Sequence, residues 1–267
     1  MKLSSRILLS MLIIIVAGLL LSNIVLKKEY NKIDKSDLHW NYTSVLTQHF
    51  KYLKIEGGNI TNIAFEQNKN CSVRVLNDWQ RYHPELIQLS VKNDTLFIKF
   101  VYTGNNQYEK QWMKSTTLVR IFSPELLSVE GFNTNFGMFK VKQKSIAVNM
   151  SGRSKFEIES MLRSMDSIAV FQIDSSEVVF EMSPDYKPVK STEKEKSATI
   201  TIGSAPPGLS SLTQIESPEA MSIKSVKADI QGYSLLDLGH AQIDSLQLKI
   251  ADSSAIIISG GALKKFK

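Results

Sequence analysis

The chain is poor in the residues that usually mark covalent cross-links or catalysis. One cysteine among 267 residues leaves no internal disulfide. Its four histidines show no metal-ligand spacing, and none pairs with a local cysteine or aspartate in a recognised motif. The sequence also contains no Gly-rich phosphate loop, nucleophile elbow or zinc motif. We therefore expect no cofactor, no metal site, no catalytic residue and no enzymatic activity.

A dense basic cluster is absent as well. The formal net charge is +6, but lysines and arginines are spread along the whole chain. Binding to nucleic acid needs basic residues concentrated on one face. Nucleic acid is therefore not an expected partner.

Long apolar runs are rare, and one stands out at residues 7–26. This run has 20 residues and no charge, so as a helix it is about 30 Å long, the thickness of a bilayer's hydrocarbon core. Lys2 and Arg6 precede it, and Lys27 and Lys28 follow it. The run predicts one N-terminal transmembrane helix that holds the protein in the lipid bilayer.

A cleaved signal peptide is the alternative interpretation of this run. The candidate cleavage positions near Ser22 place Leu20 where a small residue is required, which fits cleavage poorly. An uncleaved signal-anchor is therefore favoured. A count of flanking charges would keep the large domain in the cytoplasm. Basic residues followed directly by an apolar run are typical of exported signal-anchors, and we expect the C-terminal domain outside the cytoplasm.

Four copies of one pattern occupy the C-terminal half. The first two copies start 22 residues apart and the last two start 20 apart. In each copy, two arms with apolar residues two positions apart flank a small polar turn, which is the periodicity of short β-strands. Because one copy cannot bury its apolar face alone, the repeats predict a stack, as in a parallel β-helix or β-solenoid. Hairpins in a β-sandwich are the alternative. The copies are residues 145–159, 167–181, 225–239 and 245–259.

The copies align into four apolar columns whose members are expected to lie on top of one another. Gly152, Asp174, Gly232 and Asp252 occupy equivalent positions in the turns. With acids in two of the four turns, side chains that bond back to their own backbone are favoured over a Ca²⁺ site. The columns are Ile146/Ile168/Val226/Leu246, Val148/Val170/Ala228/Leu248, Phe156/Val178/Leu236/Ile256 and Ile158/Phe180/Leu238/Ile258.

These features divide the chain into four parts. Residues 1–26 form the anchor, 27–47 a tether, 48–143 a less regular β-rich part, and 144–267 the solenoid repeats. Residues 184–218, with five of the seven prolines, interrupt the repeats as a loop insertion. Within 48–143, the strands are expected at residues 52–56, 62–66, 72–76, 87–91, 95–101, 117–122 and 136–141.

Outward-facing carboxylates are the only residues that suggest chemistry. Glu157 and Glu159 share one strand face opposite the apolar columns, and Glu177 and Glu181 do so in the next copy. Two acids that face each other across a cleft would suit glycoside cleavage. A solvated strand face is the simpler interpretation, and a carbohydrate-active enzyme stays the alternative function.

Several segments resemble one known family. The runs at residues 50–67, 91–100, 167–180 and 245–261 share alternating apolar residues, an Asn-Asp-Thr turn and Asp-Ser-Ser corners. They resemble the auto-transporter adhesin head (GIN) domain family of bacterial envelope proteins, over roughly residues 50–261. The resemblance implies a β-solenoid-like domain behind an export signal or anchor. The anchor, the repeats and the missing catalytic motif together predict a membrane-anchored protein of the bacterial cell envelope with a β-solenoid surface for binding or adhesion, and a glycan or another envelope protein is the expected partner.

Overall fold

The structure is a computed structural model that describes residues 3–34, 36–101, 107–159, 164–180, 222–239 and 241–258. The predicted insertion at 184–218 lies outside these residues, as does Glu181. The chain forms two compact units, Met1–Thr43 and Ser44–Lys267.

The first unit contains one long apolar helix, α1, at Leu3–Tyr30. The segment Ile7–Tyr30 of this helix is long and apolar enough to cross a membrane, and none of the segment is buried against protein. The helix extends four residues past the apolar run at 7–26, and its last turn contains Lys27 and Lys28. Basic side chains there interact favourably with the negative end of the helix dipole.

The rest of the described chain is mostly β-structure, with two short helices. The helices are α2 (Asn77–Tyr82) and α3 (Gln107–Lys114). The strands are β1 (Tyr42–Leu46), β2 (Tyr52–Glu56), β3 (Asn62–Gln67), β4 (Ser72–Leu76), β5 (Ile87–Lys92), β6 (Thr95–Phe100), β7 (Thr117–Ser123), β8 (Ser128–Phe132), β9 (Asn135–Phe139), β10 (Ser145–Ser151), β11 (Lys155–Ile158), β12 (Met165–Gln172), β13 (Glu177–Phe180), β14 (Ser222–Ile230), β15 (Leu235–Asp237), β16 (Gln242–Ile250) and β17 (Ala255–Ile257).

The strands form two large mixed sheets. Sheet A has nine strands in the order β1-β4-β7-β3-β9-β11-β13-β15-β17, and sheet B has eight in the order β16-β14-β12-β10-β8-β2-β6-β5. From β8 to β17, successive strands alternate between the two sheets and pair in parallel with the strand of the preceding copy. Antiparallel pairing occurs near the other end, where β4 pairs with β7 and β5 with β6.

The strand register confirms three of the predicted apolar columns along their whole length, and the pairing of Ile158 with Phe180 in the fourth. Ile146 pairs with Ile168, which pairs with Val226, which pairs with Leu246. The column through Phe156 is aligned in the same way across β11, β13, β15 and β17. These side chains point inward, and all except those of β16 and β17 are buried in the apolar core. Alternation puts every second residue on one face, so a fixed offset between copies places like residues on like.

The turns between paired strands confirm the predicted corner positions and correct their bonding. Gly152, Asp174 and Gly232 all have a left-handed backbone, with φ of +65°, +68° and +68°. The side chain of Asp174 accepts a hydrogen bond from the backbone N–H of Gly152, at 3.2 Å in the preceding copy. We expected it to bond to its own backbone. The carboxylate instead links two neighbouring turns of the stack.

The N-terminal part is more regular than its sequence suggests. Its seven expected strands are present within a few residues of the expected bounds, but β8 was not expected. Leu53 of β2 pairs in parallel with Leu96 on one side and Val129 on the other. In sheet A, β3 lies likewise between β7 and β9. The aligned stack therefore begins well before residue 144.

The chain order in this part departs from continuous winding. The pair β2 and β3 lies between the pairs β6–β7 and β8–β9. The connection from β7 to β8 therefore crosses the layer that contains β2 and β3. The fold thus consists of two large mixed sheets, which an apolar helix precedes in the sequence. The predicted closed β-helix is a more specific architecture than two large sheets, and the sheets do not confirm it.

Candidate functional site: a groove on the outer face of sheet A

A groove of about 150 Å³ crosses the outer face of sheet A, over β7, β3, β9 and β11. Most of its lining residues face away from the core. They are Asn62, Ile63, Ala64, Thr117, Asn135, Phe136, Gly137, Phe139, Lys155, Glu157 and Glu159.

Two small residues form the floor of the groove. Across the sheet, Arg120, Ala64, Gly137 and Glu157 are register partners in one outward row. A Cβ at position 137 would lie 3.2 Å from Cε2 of Phe139 and 3.5 Å from Oε1 of the Glu159 carboxylate. The absence of a side chain at Gly137 therefore lets the ring and the carboxylate lie close against the floor.

The walls of the groove are polar and held in place. The Lys155 ammonium lies 2.5 Å from a Glu157 carboxylate oxygen. The amide of Asn135 donates to the carbonyl of Asn59 at 2.9 Å, and the amide of Asn62 donates to the carbonyl of Lys114 at 3.2 Å. Carboxylates accept hydrogen bonds, an ammonium donates them and an amide does both. With the Phe139 ring beside them, these groups suit a small ligand that carries hydroxyls on an apolar frame.

The structure brings two of the predicted carboxylates together. Glu157 and Glu159 line the groove. Glu177 lies in the neighbouring strand β13 as the register partner of Lys155, and it does not line the groove. Glu157 lies in β11 and Glu159 directly follows its end, so their Cα atoms are about 6.6 Å apart and both carboxylates approach a ligand from the same side. Glycosidases place their two acids on either side of the scissile bond. The arrangement therefore favours binding over cleavage.

Sequence reasoning missed the floor and the ring of this site. Ala64, Gly137 and Phe139 carried no expected role. The available signal was the glycine inside the alternating run of β9, because an isolated glycine in a strand often marks a place where another group approaches the backbone.

A larger depression of about 460 Å³ lies on sheet B, over β2, β5 and β6. Its Lys54 pairs with Glu130 at 2.6 Å, and its Lys99 pairs with Glu56 at 3.2 Å. Its lining charges are thus neutralised in part by interstrand pairs. No small-residue gap deepens it, and we favour the groove on sheet A as the ligand site.

Ion pairs between neighbouring strands continue along the outer face of sheet B. Lys224 lies 2.6 Å from Asp166, and Lys249 lies 2.9 Å from Asp229. The hydrogen bond from Lys224 lowers the pKa of the Asp166 carboxyl, and the hydrogen bond from Lys249 does the same for the pKa of Asp229. Exposed pairs of this kind add little stability, but opposite charges across strands favour the observed register.

Within the described residues, no group of three or more His, Cys, Asp or Glu side chains is placed to hold a metal ion. The groove offers one lysine and two carboxylates, on the same strand or just beyond its end.

Comparison with known proteins adds likenesses at low identity. No family model matches the chain, and no curated protein matches it. The chain is similar to the crystal structure of a "putative adhesin" from Bacteroides fragilis, at 12% identity and a TM-score of 0.40, over 80% of this chain and 94% of that one. It is also similar to a "putative lipid binding protein" from Parabacteroides distasonis, at 10% identity and a TM-score of 0.35, over 81% of this chain and 92% of that one. Likenesses this distant transfer neither activity nor partner to this chain.

Proposed function

We propose that this protein is a non-catalytic binding protein of a bacterial cell envelope, held in the membrane by residues 7–26. Its two sheets form a β-solenoid outside the cytoplasm, and the groove on sheet A binds one sugar ring of a glycan. The observation that carries the proposal is the groove itself, where an aromatic ring and two carboxylates line a depression over a glycine.

The exposure of the apolar helix supports its proposed role as a membrane anchor. An unburied run of apolar side chains is unfavourable in water and favourable in lipid, where a helix satisfies all its backbone hydrogen bonds internally. The alternation of β8 to β17 between two sheets, with aligned columns, supports a solenoid.

Protease added to intact cells with a permeabilised outer layer tests the orientation. We expect the domain after residue 43 to be digested while a cytoplasmic marker protein stays intact. Digestion only after the inner membrane is broken would place the domain in the cytoplasm and contradict the proposed location.

The size and chemistry of the groove support a sugar. At about 150 Å³ the groove is smaller than the pockets of about 300–1,000 Å³ that enclose drug-sized ligands, so it suits a single ring. A pyranose has an apolar face that can lie on the Phe139 ring and hydroxyls that can donate to the Glu157 carboxylate. Hydrogen bonds to a charged group contribute about 1.5–3 kcal/mol each, enough to orient a ring in an open groove.

Filling the groove tests the site. The full chain in detergent, screened on a glycan array, is expected to retain a set of glycans that the variant Gly137→Val loses by about tenfold or more. The Cβ of valine would lie 3.2 Å from the Phe139 ring and 3.5 Å from the Glu159 carboxylate, so the larger side chain would displace both groups from the groove. Position 137 has no left-handed φ, so the backbone itself accepts a side chain.

Ala169→Val is the matched control, since Ala169 lies exposed on an outer strand face of sheet B, away from the groove. It should leave glycan retention unchanged. A second variant, Glu157→Gln, should weaken binding without altering the fold. Equal retention by wild type and Gly137→Val would remove the groove as the binding site. Cleaved glycan that Glu157→Gln no longer produces would favour the carbohydrate-active enzyme instead.

A further inference from the structure

The depression on sheet B differs in charge from the groove on sheet A. It crosses β2, β6 and β5 at one end of the sheet, and its volume of about 460 Å³ falls within the range of small-ligand pockets. Three of its nine lining residues are lysines and one, Glu56, is an acid. The groove on sheet A has the opposite balance, with two carboxylates and one lysine. The two sites therefore suit ligands of different charge.

A tight hairpin builds one wall of the depression. Strands β5 and β6 pair antiparallel, and the two residues between them, Asn93 and Asp94, have φ of +49° and +56°. A two-residue turn with positive φ at both positions matches the twist of the flanking strands and fixes their register. Alternation along β5 then places Gln88, Ser90 and Lys92 on the outer face, where all three are exposed.

The half-buried Phe97 ring lies at the centre of the floor. In one outward row, Phe97 is the register partner of Ser90 in β5 and of Lys54 in β2. Lys99 follows two residues later on the same strand face, and Lys92 is a diagonal neighbour across the hairpin. Opposite residues lie about 5 Å apart and diagonal ones about 7–8 Å, within reach of long side chains. The ring therefore has a lysine on three of its sides.

The ion pairs of the depression leave a positive charge in excess. Lys54 pairs with Glu130 and Lys99 with Glu56, and each of these four side chains is about half exposed. Exposed pairs contribute little free energy, so a ligand can compete for their lysines. Among the residues that the structure describes, no carboxylate lies within ion-pair distance of Lys92. Three lysines against two glutamates leave one positive charge for a ligand to neutralise.

We propose that this depression binds an acidic sugar residue of the uronic acid type, at a site independent of the groove on sheet A. The apolar face of the pyranose lies on the Phe97 ring, and the carboxylate accepts hydrogen bonds from Lys92. The side chains of Gln88 and Ser90 make no hydrogen bond within the described part of the chain, and they bind the ring hydroxyls. Charge-assisted hydrogen bonds are about twice as strong as neutral ones, so the carboxylate sets the orientation of the ring.

The surroundings disfavour other anionic partners. Nucleic acid binds where basic residues are concentrated on one face, and here two glutamates lie among the three lysines. An anionic membrane would cover the whole face and remove water from Glu56, Gln88 and Ser90, which is costly for polar groups without new partners. A single sugar leaves the rim of the depression in water.

Anisotropy of a fluorescently labelled oligomer of galacturonic acid, titrated with the full chain in uncharged detergent, tests the proposal. The methyl ester of the same oligomer keeps the rings without the charge, and we expect it to bind about tenfold more weakly. Lys92→Gln should weaken binding of the acid by about fivefold. Lys227→Gln is the matched control and should bind as the wild type does. Lys227 is exposed on the same face, in β14 near the other end of sheet B.

Equal affinity for the acid and its ester, both measured on the wild type, would overturn the proposal whether or not Lys92→Gln folds. Equal affinity of wild type and Lys92→Gln would overturn it too, as would tighter binding of single-stranded DNA or of phosphatidylglycerol vesicles than of the oligomer. Gly137→Val should bind the acid unchanged, which separates this site from the groove. Loss of the acid in Gly137→Val would place the acidic sugar in the groove and remove the second site, with the proposed function intact.

Discussion

Replacing Phe156 with alanine is expected to lower the free energy of unfolding by about 3–5 kcal/mol. Phe156 is fully buried in the middle of its column. Its ring centroid lies 5.9 Å from that of Phe136, its register partner in β9. The change would remove contacts to strands on both sides and leave a cavity that two hydrogen-bonded sheets cannot easily close. A cavity of this kind costs more than the transfer of the lost side chain alone.

Urea unfolding of the full chain in detergent, followed by the β-sheet signal in circular dichroism, measures the effect. Phe171→Ala is the control, because it removes the same side chain from the outer face of sheet B, where Phe171 is 39% exposed. We expect it to cost less than about 1 kcal/mol. Similar losses for the two variants would mean that the columns of the stack do not carry its stability.

The repeats were predictable because they depend on local pattern. Alternation from Ile146 to Ile158 places apolar residues on one face of two short strands, and a constant offset aligns the next copy. The apolar helix was predictable for the same reason, since its length and composition are properties of one contiguous run.

The order of the strands in the N-terminal part was not predictable in this way. Strand β2 pairs with β6 and β8, which begin 43 and 76 residues after it. Such pairing depends on which distant edge is free when the sheets assemble, and no local pattern records it. The short helices α2 and α3 lie between strands of this part and further obscure its period.

The candidate site shows the same division. The carboxylates of Glu157 and Glu159 were visible as an outward pair on one strand. The groove also depends on Gly137, the register partner of Glu157 from another strand, because its lack of a side chain lets the Phe139 ring and the Glu159 carboxylate lie close to the sheet. A site that combines residues of neighbouring strands can be recognised only when the register of those strands is known.

Gly232→Ala is expected to destabilise the protein by about 3 kcal/mol. Gly232 has φ of +68°, where a Cβ costs about 1–2 kcal/mol. That Cβ would also lie 2.7 Å from the carbonyl oxygen and 2.8 Å from the amide nitrogen of Asp174. Both atoms belong to the backbone of the neighbouring copy, and the Asp174 carbonyl accepts a hydrogen bond from Tyr233 at 2.6 Å. The turns would have to separate, and the pairing of β12 with β14 would be strained.

Gly152→Ala is the matched comparison, since φ there is +65°. Its Cβ would meet the side-chain oxygen of Asn133 at 2.5 Å, and a side chain can rotate away. The expected loss is therefore smaller, about 1–2 kcal/mol, mainly from the left-handed backbone. Thermal unfolding of the two variants side by side measures the difference. A larger loss at Gly152 than at Gly232 would show that the turns are not packed backbone to backbone, and the stack would then depend on its apolar columns alone.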